Sequence, residues 1–172
     1  VFNGEIYNHA ELRRELETLG HCFLGKSDTE VLLHGLIEWG EKVLQRLNGM
    51  WAFAFWSPHT KNWLLARDRF GVKPLYYRND KKGLAFASEP KALLSLFPEH
   101  RSIEDTSLID FLANNLLYAR DKSFYRGIYV HPPAHFSVFT PSTGELKFKR
   151  YWDYPKEINW ELTEENALTE FS

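Results

Sequence analysis

"MWAFAFW" (residues 50–56) decides the architecture of this chain. Apolar side chains fill both phases of its two-residue period, so a strand here buries both of its faces. A sheet built on such a strand must be covered on each side, and the flanking segments supply the covers. Upstream, residues 8–20 carry Leu12, Leu16 and Leu19 at i, i+4 and i+7, with Asn8 and Glu11 spaced as a capping box and Gly20 at the exit. That spacing predicts an amphipathic helix. A short strand is expected at His21 to Leu24. In "KSDTEVLLHGLIEWG" (26–40), Ser27 and Glu30 form a second box ahead of Val31, Leu32, Leu36 and Ile37, predicting another helix. "EKVLQRLNG" (41–49) adds a third.

Downstream, "WLLARD" (63–68) pairs with residues 50–56 across "SPHTKN", whose Pro, Asn and short polar residues mark a hairpin. "PLYYRND" and "GLAFASE" repeat the arrangement around "KKG", and "HFSVFT" pairs with "ELKFKRYW" across "PSTG". Helices are expected at "PKALLSLF" and from Asp105 to Leu117. The order of strand, helices, then strands gives a layered α/β sandwich.

Composition narrows the function. A chain of 172 residues with 44% apolar and 16% aromatic side chains fits one domain with a substantial core. A net charge of −2 gives no broad attraction toward nucleic acid or an anionic membrane surface. The single cysteine, Cys22, excludes an internal disulfide framework and suits a reducing, cytoplasmic setting, and no apolar stretch reaches membrane-spanning length. Residues 155–172 turn polar and acidic and read as a linker leading to a further domain. A start at Val1 and an end at "ALTEFS" read as a piece of a longer protein.

The candidate chemistry lies in "VFNGEIYN" (1–8), which reads as a strand ending in a tight turn at Asn3-Gly4. Gly4 lets the backbone approach a ligand closely, and an exposed N–H beside the Asn3 carboxamide supplies two donors. Two such donors make an oxyanion hole for acyl transfer, although an isolated Asn-Gly is first of all a turn. Asp28 has a plain role beside the Ser27 cap, favouring the positive end of its helix, and a sharper one, receiving the ammonium of an amino acid with Glu5 nearby.

Other features have bland readings. Arg67, Arg69 and Lys73 surround Asp68 with no glycine-rich cradle before them, so internal ion pairing is expected rather than anion binding. Trp51, Phe53, Phe55 and Trp56 lack a basic face and are expected to pack the core rather than stack bases. His131 and His135 are separated by two prolines that forbid a helix, which argues against a metal pair. Cys22, inside "HCF", is expected to be a buried small hydrophobe.

The blocks "NGEIYNHAELRRELETLGHCF", "SDTEVLLHGLIEWG", "LNGMWAFAFW", "LLARDRFGVKPLYY", "FASEPKALL" and "RYWD" follow one another in an order and spacing that resembles the glutaminase domain of glutamine-hydrolysing asparagine synthases. The resemblance covers most of Val1 to Asp153. It implies an α+β, four-layer αββα N-terminal-nucleophile sandwich of two antiparallel sheets, with residues 1–154 as the glutaminase domain. In that family an N-terminal cysteine attacks the side-chain amide of glutamine, and its own α-amino group serves as base. Carried over, Asn3 and the Gly4 N–H hold the oxyanion, while Glu5 and Asp28 bind the α-amino end of glutamine. The nucleophile and an arginine-bearing loop are expected upstream of Val1, so the 172 residues alone are expected to be inactive. A synthetase domain using ATP and magnesium to amidate aspartate is also expected outside them. No cofactor or metal is expected within them, and a homodimer is compatible with the resemblance. "HPPAH" (131–135) departs from a Leu-Pro-Pro-Gly-His pattern at His131 and Ala134. Two other readings stay open: a scaffold domain that no longer hydrolyses glutamine, and an amidotransferase serving a different carboxylate acceptor.

Overall fold

The computed structural model describes residues 1–115 and 121–156, together with Thr163 and Asn166. Its strands form two antiparallel sheets. The first has the order β1-β2-β3-β7-β8, from β1 (Phe2–Ile6), β2 (Gly49–Ser57), β3 (Asn62–Arg67), β7 (His135–Thr140) and β8 (Glu145–Arg150). The second has the order β5-β4-β6, from β4 (Tyr76–Asp80), β5 (Gly83–Ala87) and β6 (Tyr129–Val130). All three predicted hairpins are present.

The strand that decided the reading is buried on both faces. One face of β2 presents Trp51 and Phe53 to Leu12 and Leu16 of α1 (His9–Thr18), Val31, Leu32 and Leu36 of α2 (Asp28–Trp39), and Val43 and Leu44 of α3 (Val43–Arg46). Its other face presents Ala52 and Ala54, which pack with Leu65 and Leu75 against Leu84 and Phe86 of the second sheet. Small side chains there let the two sheets approach closely. The far face of the second sheet carries Tyr76 and Val130 against Leu93 and Leu94 of α4 (Pro90–Leu96). The result is a four-layer αββα sandwich, with α5 (Asp105–Asn114) following α4. Leu19 and Ile37, counted among the apolar helix positions, remain 50% and 62% exposed because they lie near the helix ends.

Five local expectations are corrected. The chain does not turn at Asn3-Gly4: β1 runs on through Ile6, in register from Phe2↔Phe53 to Ile6↔Gly49. Gly4 is needed for closeness instead, since a Cβ there would lie 2.3 Å from the Met50 carbonyl oxygen and 2.6 Å from the Trp51 Cα. The Asn8–Glu11 capping box does not form, because the Asn8 side chain donates to the Arg46 carbonyl and accepts from the Asn48 N–H, each at 2.9 Å. No strand forms at His21 to Leu24, which has no neighbouring strand to pair with. There His21 and Phe23 turn onto α2, meeting His34, and alternation sends Cys22 outward, so the cysteine is exposed rather than buried. Ser27 does cap α2, accepting the Glu30 N–H at 3.2 Å, but the Glu30 carboxylate reaches Leu24 N–H and Gly25 N–H rather than closing the box on Ser27. Those two amides hold the Glu30 carboxyl below its usual range. Of the expected linker, 157–162, 164, 165 and 167–172 lie outside the described residues, as do Leu116 and Leu117 of the predicted Asp105 to Leu117 helix.

Candidate active site

Among the described residues β1 is an edge strand, and its hydrogen-bond phase can be worked out from its ends. The Val1 amino group donates to the Ala54 carbonyl and Ala54 N–H donates back to the Val1 carbonyl, both at 2.9 Å, while Tyr7 N–H donates to the Asn48 carbonyl at 2.7 Å. In an antiparallel pair, bonded and non-bonded positions alternate. Asn3 and Glu5 therefore bond to β2, and the N–H groups of Phe2, Gly4 and Ile6 aim off the open edge. From the other side of β2, Asp68 accepts the Trp51 N–H on its carboxylate at 3.2 Å and donates its own N–H to the Trp51 carbonyl at 2.8 Å. Trp51 thus spends both main-chain groups away from Gly4, its register partner.

One of the three edge donors is already occupied. Ile6 N–H donates to Asp28 Oδ2 at 3.1 Å, which fixes the first residue of α2 against β1. Two residues of strand, or about 7 Å, separate that carboxylate from the Gly4 N–H along the same edge. The Asn3 side chain, one position out of phase, points toward the second sheet, and its Nδ2 donates to Ser88 Oγ at 3.1 Å. Glu5 shares that phase but is exposed at the rim.

Two clefts flank β1. One, of about 390 Å³, lies on its helix-covered side and is lined by Val1, Phe2, Thr29, Leu32, Leu33 and Phe55 among others. The other, of about 190 Å³, lies between the sheets and is lined by Val1, Asn3, Ala52, Ala54, Leu75 and Ser88 among others. Of the four predicted site residues, Asn3 lines the second cleft, and Gly4, Glu5 and Asp28 line neither. What the structure brings together is the edge itself: a glycine N–H directed off the strand, a side-chain amide and a carboxylate, all on or tied to five residues of strand. Ser88 was not singled out from the sequence, where a serine ahead of Glu-Pro signals only a helix start.

The remaining charged residues build the scaffold behind this edge. Asp68 is buried, and its carboxylate accepts N–H groups from Phe70, Val72, Lys73 and Trp51 at 2.9–3.2 Å. Arg67 is buried too, and its guanidinium donates to the carbonyls of Lys73, His131 and Gly71 at 2.6–2.7 Å. These backbone partners lock the turn after β3. His131 is fully buried, with Nε2 beside Ser137 Oγ at 3.0 Å, and burial pushes its pKa down to about 3. His135 Nδ1 lies 2.6 Å from the Pro133 carbonyl instead of facing His131. Trp51 and Phe53 pack in the core as expected, with ring centroids 5.4 Å apart, whereas Trp56 is 39% exposed. Among the described residues, no three His, Cys, Asp or Glu side chains are grouped to hold a metal ion, and no helix is long and apolar enough to cross a membrane. Among the described residues, the Arg67 fork is directed to backbone carbonyls, not aimed outward as a phosphate clamp.

A four-layer αββα sandwich of two antiparallel sheets is the N-terminal-nucleophile type of fold. It superposes on the glutamine phosphoribosylpyrophosphate amidotransferase of Bacillus subtilis with a TM-score of 0.61 over 88% of this chain and 28% of that one, at 22% identity. Within that class, the chain belongs to the glutamine amidotransferase domain family, whose model matches residues 1–152. It is 48% identical over 152 residues to asparagine synthetase [glutamine-hydrolyzing] 1 of Bacillus subtilis, covering 88% of this chain and 24% of the relative. It is 38% identical over 157 residues to asparagine synthetase [glutamine-hydrolyzing] 3 of the same organism, covering 91% of this chain and 25% of the relative. The chain thus spans about a quarter of the length of these curated relatives.

Proposed function

We propose that this chain is the glutamine-hydrolysing portion of an asparagine synthase. The reading rests above all on the edge of β1, where the Gly4 N–H is directed off the strand two residues before the Ile6 N–H that the Asp28 carboxylate accepts. A glutamine side-chain carbonyl takes the Gly4 N–H and the Asn3 Nδ2 as its two donors, and its α-ammonium takes Asp28, with Glu5 at the rim. The span along the edge suits an amino acid whose amide and amine lie at opposite ends.

The nucleophile in this reading is the thiol of a cysteine upstream of Val1, activated by its own α-amine. Attack on the amide carbon forms a C–S bond and a tetrahedral oxyanion at Asn3 and Gly4; collapse expels ammonia and leaves a thioester. Water then cleaves the C–S bond, releasing glutamate and restoring the thiol. Cys22 does not serve in this reading, since it sits exposed on the loop between α1 and α2 and not at the end of a chain beside β1. The ammonia passes to a synthetase portion that activates aspartate with ATP and magnesium. Residues 1–154 form the glutaminase domain and 155–172 lead to the next one, in a cytoplasmic enzyme.

Glutamate release from glutamine by the full natural chain, with and without aspartate and ATP, tests this. Release that yields asparagine when aspartate and ATP are added supports the reading. A folded chain that releases no glutamate overturns it in favour of a scaffold domain, and release without asparagine points to another acceptor.

A further inference from the structure

Asn3 does not stand alone at the mouth of the cleft between the sheets. Its carboxamide lies beside the apolar walls of Ala52, Ala54, Leu75 and Phe86, and Nδ2 meets Ser88 Oγ at 3.1 Å. Ser88 belongs to the other sheet's side of the molecule, immediately after β5 and one residue before Glu89, which precedes α4. The bond therefore spans 85 residues of sequence and ties an edge strand of one sheet to the second sheet.

We infer that Ser88 is a positioning residue for glutamine hydrolysis, holding the Asn3 carboxamide in the plane in which its second Nδ2 proton is directed at the developing oxyanion. This rests on the assignment of Asn3 to the oxyanion hole. The argument is geometric. An asparagine carboxamide rotates over a broad, shallow torsional profile unless a hydrogen bond holds it. A primary amide nitrogen carries two protons, so engaging one with a fixed acceptor sets where the other points. A serine hydroxyl can accept while keeping its own proton for another partner, so it does not compete with the oxyanion. A donor helps only when it is already aimed at the place where charge appears, and a small misplacement is costly.

The test measures kcat and KM for glutamate release by the full natural chain and its Asn3→Ala, Ser88→Ala and Ser88→Thr variants and the Asn3→Ala/Ser88→Ala double variant. Ser88→Ala is expected to lower kcat roughly tenfold to a hundredfold with KM for glutamine little changed, because the ground-state contacts remain. Ser88→Thr, which keeps the hydroxyl, restores most of the rate. Removing Ser88 from the Asn3→Ala background costs nothing further, since nothing remains to be aimed. Should Ser88→Ala fold poorly, Ser88→Cys, with a weaker acceptor in a similar volume, shows the same loss in smaller measure. An unchanged kcat in Ser88→Ala, or an equal loss in both backgrounds, overturns the inference while leaving the oxyanion hole in place. An active Asn3→Ala variant overturns the oxyanion assignment itself, and this inference with it.

Discussion

The Asp28 carboxylate accepts the Ile6 N–H at 3.1 Å, so the residue expected to bind a substrate ammonium also fastens α2 to the strand carrying Asn3 and Gly4. One side chain thus has a structural and a chemical role, and two substitutions separate them. Asp28→Asn keeps an oxygen for Ile6 N–H while removing the charge. Its stability is expected to stay near that of the parent, while KM for glutamine in the full chain rises roughly tenfold or more, the scale of a lost charge-assisted bond. Asp28→Ala loses both roles and unfolds at lower denaturant, by about 1–3 kcal/mol. Equal glutamine affinity in Asp28→Asn would remove Asp28 from the substrate site.

Gly4 is constrained from behind rather than from the ligand side. A methyl group at this position would lie 2.3 Å from the Met50 carbonyl oxygen and 2.8 Å from the Trp51 Cβ, with the backbone at φ +156°. Gly4→Ala is expected to cost roughly 3 kcal/mol through overpacking and strain, enough to disturb β1–β2 pairing. Urea unfolding measures it, and an unaltered midpoint would show that the two strands separate more easily than the contact implies.

His131 makes the fold sensitive to acid. Burial lowers its pKa from 6.5 to about 3, so across that interval the unfolded chain binds a proton that the folded chain excludes. Stability from this group is fully present above pH 6.5 and declines as pH falls toward 3, with a slope of up to about 1.4 kcal/mol per pH unit. His131→Gln cannot titrate and should flatten the dependence by about one proton. Denaturant unfolding at several pH values reads the slope directly, and parallel curves for parent and variant would contradict it.

Ala134 holds φ +57°, a left-handed conformation that a Cβ disfavours. It cannot relax easily, because its N–H donates to the Asp68 carbonyl and its carbonyl accepts the Tyr151 N–H, each at 2.9 Å. Ala134→Gly is expected to raise stability by roughly 0.5–1 kcal/mol, the relief of strain less the added entropy of glycine in the unfolded chain. A loss of stability would mean that the buried methyl group contributes more than the torsion costs.

How far the sequence could be read depended on how local the cause was. The Ser27 cap, the core positions Val31, Leu32 and Leu36 of α2 and the three hairpins follow from signals within a few residues, and all are present. The two-faced burial of β2 was equally legible, because its composition admits no solvent-facing side. Errors arose where a distant group outbid a local one. Asn8 gives up its capping box to Arg46 and Asn48, and His21 and Phe23 turn onto α2 rather than join a sheet. The site divides in the same way. Asn3 and Gly4 stood out as a dipeptide, but their place within a strand depended on β2, the tie between Asp28 and Ile6 on a 22-residue separation, and Ser88 on contact between the sheets.

The two outer strands of the five-stranded sheet are finished differently. β8 reads "ELKFKR" and carries exposed Glu145, Lys147, Lys149 and Arg150, charges that discourage another chain from adding to its free side. β1 has only Glu5 among its five residues, and the Gly4 N–H on its outer side is the donor proposed for the oxyanion. A strand laid along β1 would therefore bury a single charge, whereas one laid along β8 would have to bury four.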